Sequence, residues 1–158
     1  MNKNRDNQYL KARLDSVTGT YFPELGRVSC LISFGRKAKT RLGSIKKTLT
    51  GSKITINGLF KDQVIPEKII DLTIAHELCH YLHGFTGERE KLFRYPHQGG
   101  IVDSELKERG LTTDLKFQKK WLKEEWPRIV RENFPASNRR GRIHRRQTSS
   151  IFDILFMR

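Results

Sequence analysis

Cysteine is scarce in this sequence, and long apolar runs are missing from it. Its 158 residues contain two cysteines, Cys30 and Cys79, which lie far apart in the chain. Such a pair excludes a disulfide framework and a Cys-x-x-Cys zinc ribbon, and it fits a reducing compartment. No stretch approaches the roughly 18 apolar residues of a membrane span, and the N-terminal MNKNRDNQYLKARL lacks the apolar core of a signal peptide. We therefore expect a cytoplasmic protein that makes no membrane contact.

Acidic residues are also few. The chain has 17 Asp and Glu residues against 31 Lys and Arg residues, which gives a formal net charge of +14. A charge of this size on a small chain favours binding to polyanions, nucleic acid before acidic membranes or proteins. The length and the 36% hydrophobic content suffice for one domain with its own core. We predict this domain over residues 1–135 and a basic, mobile tail over residues 136–158, where ASNRRGRIHRRQTSS has no core-forming pattern.

The apolar pattern predicts an α+β fold. It consists of a small antiparallel sheet of about three strands, packed against a central helix and flanked by N- and C-terminal helices. The central helix carries apolar residues on nearly every side, so it should be buried. Gly19 and Pro23 should end the first helix, and Pro127 should divide the last one. The predicted helices are residues 7–17, 65–84, 102–109 and 114–134, and the predicted strands are residues 27–35, 41–48 and 52–57.

The stretch TIAHELCHYLHGF, residues 73–85, places His76, Glu77 and His80 in the pattern H-E-x-x-H on the central helix. Positions i and i+4 project from one face of a helix, so both imidazoles can bind one ion. Glu77 then lies beside the ion, where a base can act on metal-bound water. The alternative is a hydrogen-bonded pair of core histidines. Burial of His and Glu costs free energy unless the side chains are paired or bound to a metal. The pattern would arise by chance in about 1% of chains of this composition. We therefore predict a metal site.

A catalytic zinc site needs a third protein ligand and leaves one position for water. His97, in YPHQGG, follows a glycine-containing loop long enough to turn back towards the helix. His83 shares the face of His80, but three ligands on one straight helix would spread over about 10 Å, more than one tetrahedral ion spans. The other candidates lie on the next predicted helix. The alternatives to His97 that stay open are His83, Asp103, Glu105 and Glu108.

Basic residues concentrate in two segments. Residues 36–53, RKAKTRLGSIKKTLTGSK, contain seven basic residues and no acidic one, and RRGRIHRR in the tail contains five arginines. Both could bind backbone phosphates without reading the base sequence, whereas the alternative is a solvated face and a solubilising tail. The candidate nucleic-acid-binding residues are Arg36, Lys37, Lys39, Arg41, Lys46, Lys47, Arg139, Arg140, Arg142, Arg145 and Arg146.

Taken in order, TRLGSI, SKITINGLF, IPEKIIDLTIAHELCHYLHGF and YPHQGGIVDSELKERGL resemble the SprT-like zinc metallopeptidase domain, which is also the catalytic module of Spartan proteases. The resemblance covers about residues 27–111. The zinc ribbon that follows the catalytic core in several members of the family does not occur in this sequence. It implies one Zn²⁺ ion held by His76, His80 and His97, with Glu77 as the base. The matching positions are Arg41, Gly43, Ser44, Ile54, Ile56, Asn57, Pro66, His76, Glu77, His80 and His97.

These features together predict a zinc-dependent metallopeptidase that hydrolyses peptide bonds through a metal-activated water. The resemblance to Spartan proteases implies a protein substrate attached to DNA. We also expect a monomer, and an association with the nucleoid if the protein binds DNA. Two alternatives stay open: a nucleic-acid-binding module with a structural metal, and a zinc hydrolase of non-peptide substrates. Tyr81, Arg94 and Tyr95 are the nearest residues that could stabilise an oxyanion.

Overall fold

A computed structural model of the chain describes residues 4–135. The predicted basic tail, residues 136–158, and the five arginines within it lie outside these described residues. The helices are α1 (Asn7–Tyr21), α2 (Glu67–Leu82), α3 (Ile101–Glu108), α4 (Thr112–Glu124) and α5 (Trp126–Asn133). The strands are β1 (Cys30–Phe34), β2 (Gly43–Thr48) and β3 (Gly51–Ile56), and short 3₁₀ turns occupy Pro23–Leu25, Gly58–Lys61 and Gln98–Gly100.

The three strands form one mixed sheet in the order β1–β3–β2. The α+β class is therefore confirmed. The sequence pattern predicted an antiparallel sheet, and this part of the prediction is wrong because one of the two strand pairs is parallel. β2 and β3 form an antiparallel hairpin, whereas β1 runs parallel to β3. The difference arises because β2 does not lie next to β1 in the sheet. The chain turns back after β2, and β3 lies between the two, parallel to β1 and antiparallel to β2.

Helix α1 is longer than the sequence predicted. Asp6 caps it by accepting a hydrogen bond from the backbone N–H of Tyr9 at 2.8 Å, a common way to start a helix. The helix continues through Gly19 to Tyr21, so Gly19 does not end it. Phe22, fully buried, and Pro23 end it instead, because Phe22 enters the core and Pro23 begins a 3₁₀ turn. The predicted division at Pro127 is confirmed, since α4 ends at Glu124 and α5 begins at Trp126.

Helix α2 is the centre of the core. It packs on one face of the sheet, where Ile32, Ile54 and Ile45 lie side by side in register and are buried. The remaining helices pack around it, with α1 against α2 and β1, and α3 and α4 against α2. Burial on nearly all sides explains why α2 has apolar residues around its whole circumference. Among residues 4–135, no helix is both long enough and apolar enough to cross a lipid bilayer.

Candidate metal centre

His76 and His80 lie one turn apart on α2 and direct the same ring nitrogen towards each other. Their Nε2 atoms are 3.1 Å apart, and both side chains are buried. Two nitrogens bound at about 2.0–2.1 Å to one tetrahedral ion would lie roughly 3.3 Å apart. The spacing therefore suits a shared ion. A hydrogen bond between the two rings would have the same length, so the deciding observation is the position of a third ligand.

His97 provides that third ligand position. Its ring centroid lies 4.7 Å from that of His80 and 5.3 Å from that of His76. One ligand atom from each of the three histidines falls within 4.8 Å of the others, so this cluster could hold a metal ion. The chain can turn sharply after His97 because Gly99 and Gly100 adopt positive φ angles of 60° and 73°, which glycine adopts without strain.

The segment between α2 and His97 folds back onto the end of α2. The N–H of Leu92 donates to the carbonyl of His83 at 3.0 Å, and the N–H of Phe85 donates to that of His80 at 3.0 Å. Gly84, at φ 79°, permits a close crossing, because a Cβ there would lie 2.1 Å from the carbonyl oxygen of Glu90. These contacts return the chain to α2 and thereby bring His97 to the two helical histidines.

The alternative ligands lie elsewhere. His83 is 1% exposed, and its Nε2 faces Glu105 Oε2 at 3.4 Å. Glu105 also accepts a hydrogen bond from Arg109 Nε at 2.8 Å, while Asp103 pairs with Lys119 at 3.0 Å. None of His83, Asp103, Glu105 and Glu108 belongs to the histidine cluster. His83, the residue that follows α2, and Glu105 of α3 instead form a separate contact.

Glu77 follows His76 on α2 and is 3% exposed. It lies against the start of β2, because a Cβ added to Gly43 would be 3.2 Å from Glu77 Oε1 and 2.6 Å from Thr73 Cγ2. Gly43 does not have a positive φ, so the requirement for glycine there is one of space. The absence of a side chain at position 43 lets α2 approach β2 closely and leaves room for the Glu77 carboxylate.

The two cysteines are buried thiols. Burial raises the pKa of Cys30 to about 11 and raises the pKa of Cys79 still further. Both are therefore protonated near neutral pH, and neither belongs to the histidine cluster.

Among the candidate oxyanion stabilisers, burial and a hydrogen bond to Glu88 raise the pKa of Tyr81. Tyr95 is 57% exposed, with the Arg94 guanidinium 5.2 Å from its ring centroid.

The six candidate basic residues before position 50 separate into two groups. Arg36, Arg41 and Lys46 line one cavity of about 290 Å³ beside the sheet, together with Ser44 and Thr55. Thr55 was not among the predicted site residues, although strand alternation would have placed it beside Ser44, its partner in the register. The other three lie away from this cavity: Lys37 donates to Asn133 at 3.2 Å, Lys39 lies over the ring of Phe134, and Lys47 lies near Gly87.

In comparisons with known proteins, no family model, no curated protein and no solved structure matches the chain. The interpretation of the histidine cluster therefore depends on its own geometry and on the sequence motif that forms it.

Proposed function

We propose that this protein is a SprT-like zinc metallopeptidase. The observation that carries the proposal is the convergence of His76, His80 and His97 on α2 and the loop that follows it, with the buried Glu77 next to His76 in the chain. Imidazole nitrogens suit Zn²⁺, and three protein ligands with a fourth position for water are typical of catalytic zinc. Among residues 4–135, the cluster contains these three histidines and no fourth His, Cys, Asp or Glu. This composition favours a catalytic site over a closed, structural one.

Each residue has a separate role in the proposed reaction. His76, His80 and His97 would hold the ion, which when bound would lower the pKa of a water towards neutrality and polarise a carbonyl. Glu77 accepts a proton from the water that attacks the peptide carbonyl and delivers it to the leaving amine. Glu77 is buried, and Gly43 leaves space for its carboxylate against β2.

We propose that the substrate is a protein and that the enzyme also binds nucleic acid. The resemblance to the Spartan group points to proteins attached to DNA, and the net charge of +14 would attract the enzyme to nucleic acid. Nucleic acid would then concentrate the enzyme near its substrate. Cleavage of a disordered protein, measured with and without single-stranded DNA, addresses this part directly.

The test separates metal binding from chemistry. The zinc-loaded full chain should bind about one zinc per chain and cleave a disordered protein such as casein. Glu77→Gln should retain the zinc and lose hydrolysis, because Gln has nearly the same shape but cannot accept the proton. His97→Ala should lose zinc, while Glu105→Ala should keep it, because Glu105 lies outside the cluster. Undiminished turnover by Glu77→Gln, or full zinc content in His97→Ala, would overturn the assignment.

A further inference from the structure

The sheet has a second face, which points away from α2. Strand alternation places Ser44 and Lys46 of β2 on it, opposite Thr55 and Lys53 of β3 in the register. Lys46 and Lys53 are both exposed and stand directly opposite each other. Like charges at such paired positions destabilise a sheet. This arrangement suggests that an anion occupies the face in the functioning protein.

The cavity of about 290 Å³ lies at the end of this face where β2 begins. Arg36, Arg41 and Lys46 line it, the hydroxyl-bearing Ser44 and Thr55 line it too, and no carboxylate does. None of the three cations makes a salt bridge within residues 4–135, whereas Arg13, Arg109 and Arg128 all pair with acidic side chains. The cavity therefore combines cations without acidic partners and hydroxyl groups.

The loop that carries the two arginines, residues 36–41, is fixed in place. The buried amide of Asn57 donates to the carbonyls of Ala38 at 2.8 Å and Arg41 at 2.6 Å, and its Oδ1 accepts from the N–H of Ala38 at 3.2 Å. The N–H of Gly58 donates to the carbonyl of Arg36 at 3.2 Å. The loop lies so close to Gly58 that a Cβ there would be 2.5 Å from the carbonyl oxygen of Gly35. A loop held this firmly can bind a ligand with little loss of conformational entropy.

We propose that this cavity binds a backbone phosphate of a nucleic acid. The planar guanidinium of arginine pairs with phosphate oxygens through two parallel hydrogen bonds, and Ser and Thr hydroxyls commonly donate to phosphates. Lys53, which stands opposite Lys46 in the register, adds a further cation to the same face of the sheet. No aromatic side chain lines the cavity to stack on a base, and contacts to a phosphate carry no direct information about the bases, so recognition is independent of base sequence.

This inference rests on the nucleic-acid part of the proposed function, and it narrows that part to three of the six candidate cations before position 50. It does not depend on the metal chemistry. No histidine of the cluster lines the cavity, and strand alternation places Ser44, Lys46 and Thr55 on the face of the sheet away from α2, so the histidine cluster and a bound phosphate occupy separate positions.

The test uses pairs of neighbouring cations. Binding of a fluorescein-labelled oligothymidylate to the full chain is measured by fluorescence anisotropy at several salt concentrations. Lys46→Ala is compared with Lys47→Ala, and Arg36→Ala with Lys37→Ala. Each pair removes the same charge from adjacent positions, but only Lys46 and Arg36 line the cavity. The same measurements on the Glu77→Gln background keep the result separate from the peptidase assay.

Lys46→Ala and Arg36→Ala should each weaken binding about tenfold and reduce the magnitude of the salt slope by about 0.7, while their partners change little. Equal losses within each pair would mean diffuse attraction to the basic surface, and the cavity assignment would then be wrong. Stronger competition by polyglutamate than by unlabelled oligothymidylate would also overturn it, in favour of an acidic protein ligand. If the wild type does not bind at low salt, the nucleic-acid part of the proposed function fails as well.

Discussion

Gly43→Ala tests the most specific contact in the candidate site. The added Cβ would lie 2.6 Å from Thr73 Cγ2, whereas carbon atoms in contact are about 3.5–4.0 Å apart. The two atoms must therefore separate by about 1 Å, through a shift of α2 from β2 or a change of side-chain rotamer. Overpacking of this kind typically destabilises a core by about 1–3 kcal/mol. Because Glu77 Oε1 would be 3.2 Å from the same Cβ, the shift also displaces the proposed base.

The expected result is a large loss of turnover with the metal retained. A misplacement of about 1 Å in a catalytic group can reduce the rate about 100-fold. The three atoms nearest to a Cβ at position 43 belong to Thr73 and Glu77 and not to the histidines, so zinc content should stay at the wild-type level. The assay combines zinc analysis, kcat on a disordered protein and the urea midpoint of unfolding.

Two further variants separate the steric effect from general destabilisation. Thr73→Ser removes Cγ2 but keeps the hydroxyl that donates to the carbonyl of Ile69 at 2.7 Å. Combined with Gly43→Ala, it should recover most of the stability and leave turnover reduced, because the contact with Glu77 remains. Gly19→Ala is the matched control: nothing lies within 4 Å of its Cβ position in α1, so it should stabilise the protein by about 0.5–1 kcal/mol. Wild-type turnover in Gly43→Ala would refute the proposed packing of Glu77 on β2.

Two other predictions concern buried groups outside the metal centre. Arg5→Met should lower the free energy of unfolding by about 3 kcal/mol in urea titrations, because Arg5 Nη1 donates to the carbonyls of Phe60, Asp62 and Ile65 at 3.1, 2.8 and 2.9 Å. Lys11→Met, which breaks only an exposed pair with Asp15, is its control, and equal losses in both would contradict this role. Cys30, whose pKa burial raises to about 11, should remain a protonated thiol at pH 8, and buried Cys79 should too. Iodoacetamide should therefore label them only on unfolding, and rapid labelling of the folded chain, detected by mass spectrometry, would disprove this.

Helical periodicity made the first two ligands of the candidate site predictable from the sequence. His76 and His80 are four residues apart on a strongly apolar helix, so their convergence needs only the geometry of α2. The position of His97 depends on the path of a loop, which periodicity does not determine. That path is set by Gly84, by the hydrogen bond between Leu92 and His83, and by the two left-handed glycines after His97. The sequence could therefore favour His97 but leave Glu105 open.

The direction of β1 and the sorting of the basic residues were not predictable from local patterns. An alternating strand has the same pattern whether its neighbour is parallel or antiparallel, so the residues of β1 do not indicate that it pairs with β3 in parallel. The charge of the side chains likewise does not distinguish Lys46 from Lys47. The register places Lys46 opposite Lys53, and Lys47 opposite the buried Ser52, so they lie on opposite faces.

The separation of these faces has an electrostatic consequence. A divalent ion on three neutral imidazoles keeps its full charge, and cations beside it would weaken its binding. Arg36, Arg41 and Lys46 instead line a cavity to which none of the three histidines contributes. β2 makes this possible because its first two residues point in opposite directions. Gly43 lies against Glu77 and also borders the cavity, whereas the side chains of Ser44 and Lys46 project from the face away from α2, so one strand can serve both sites without bringing their positive charges together.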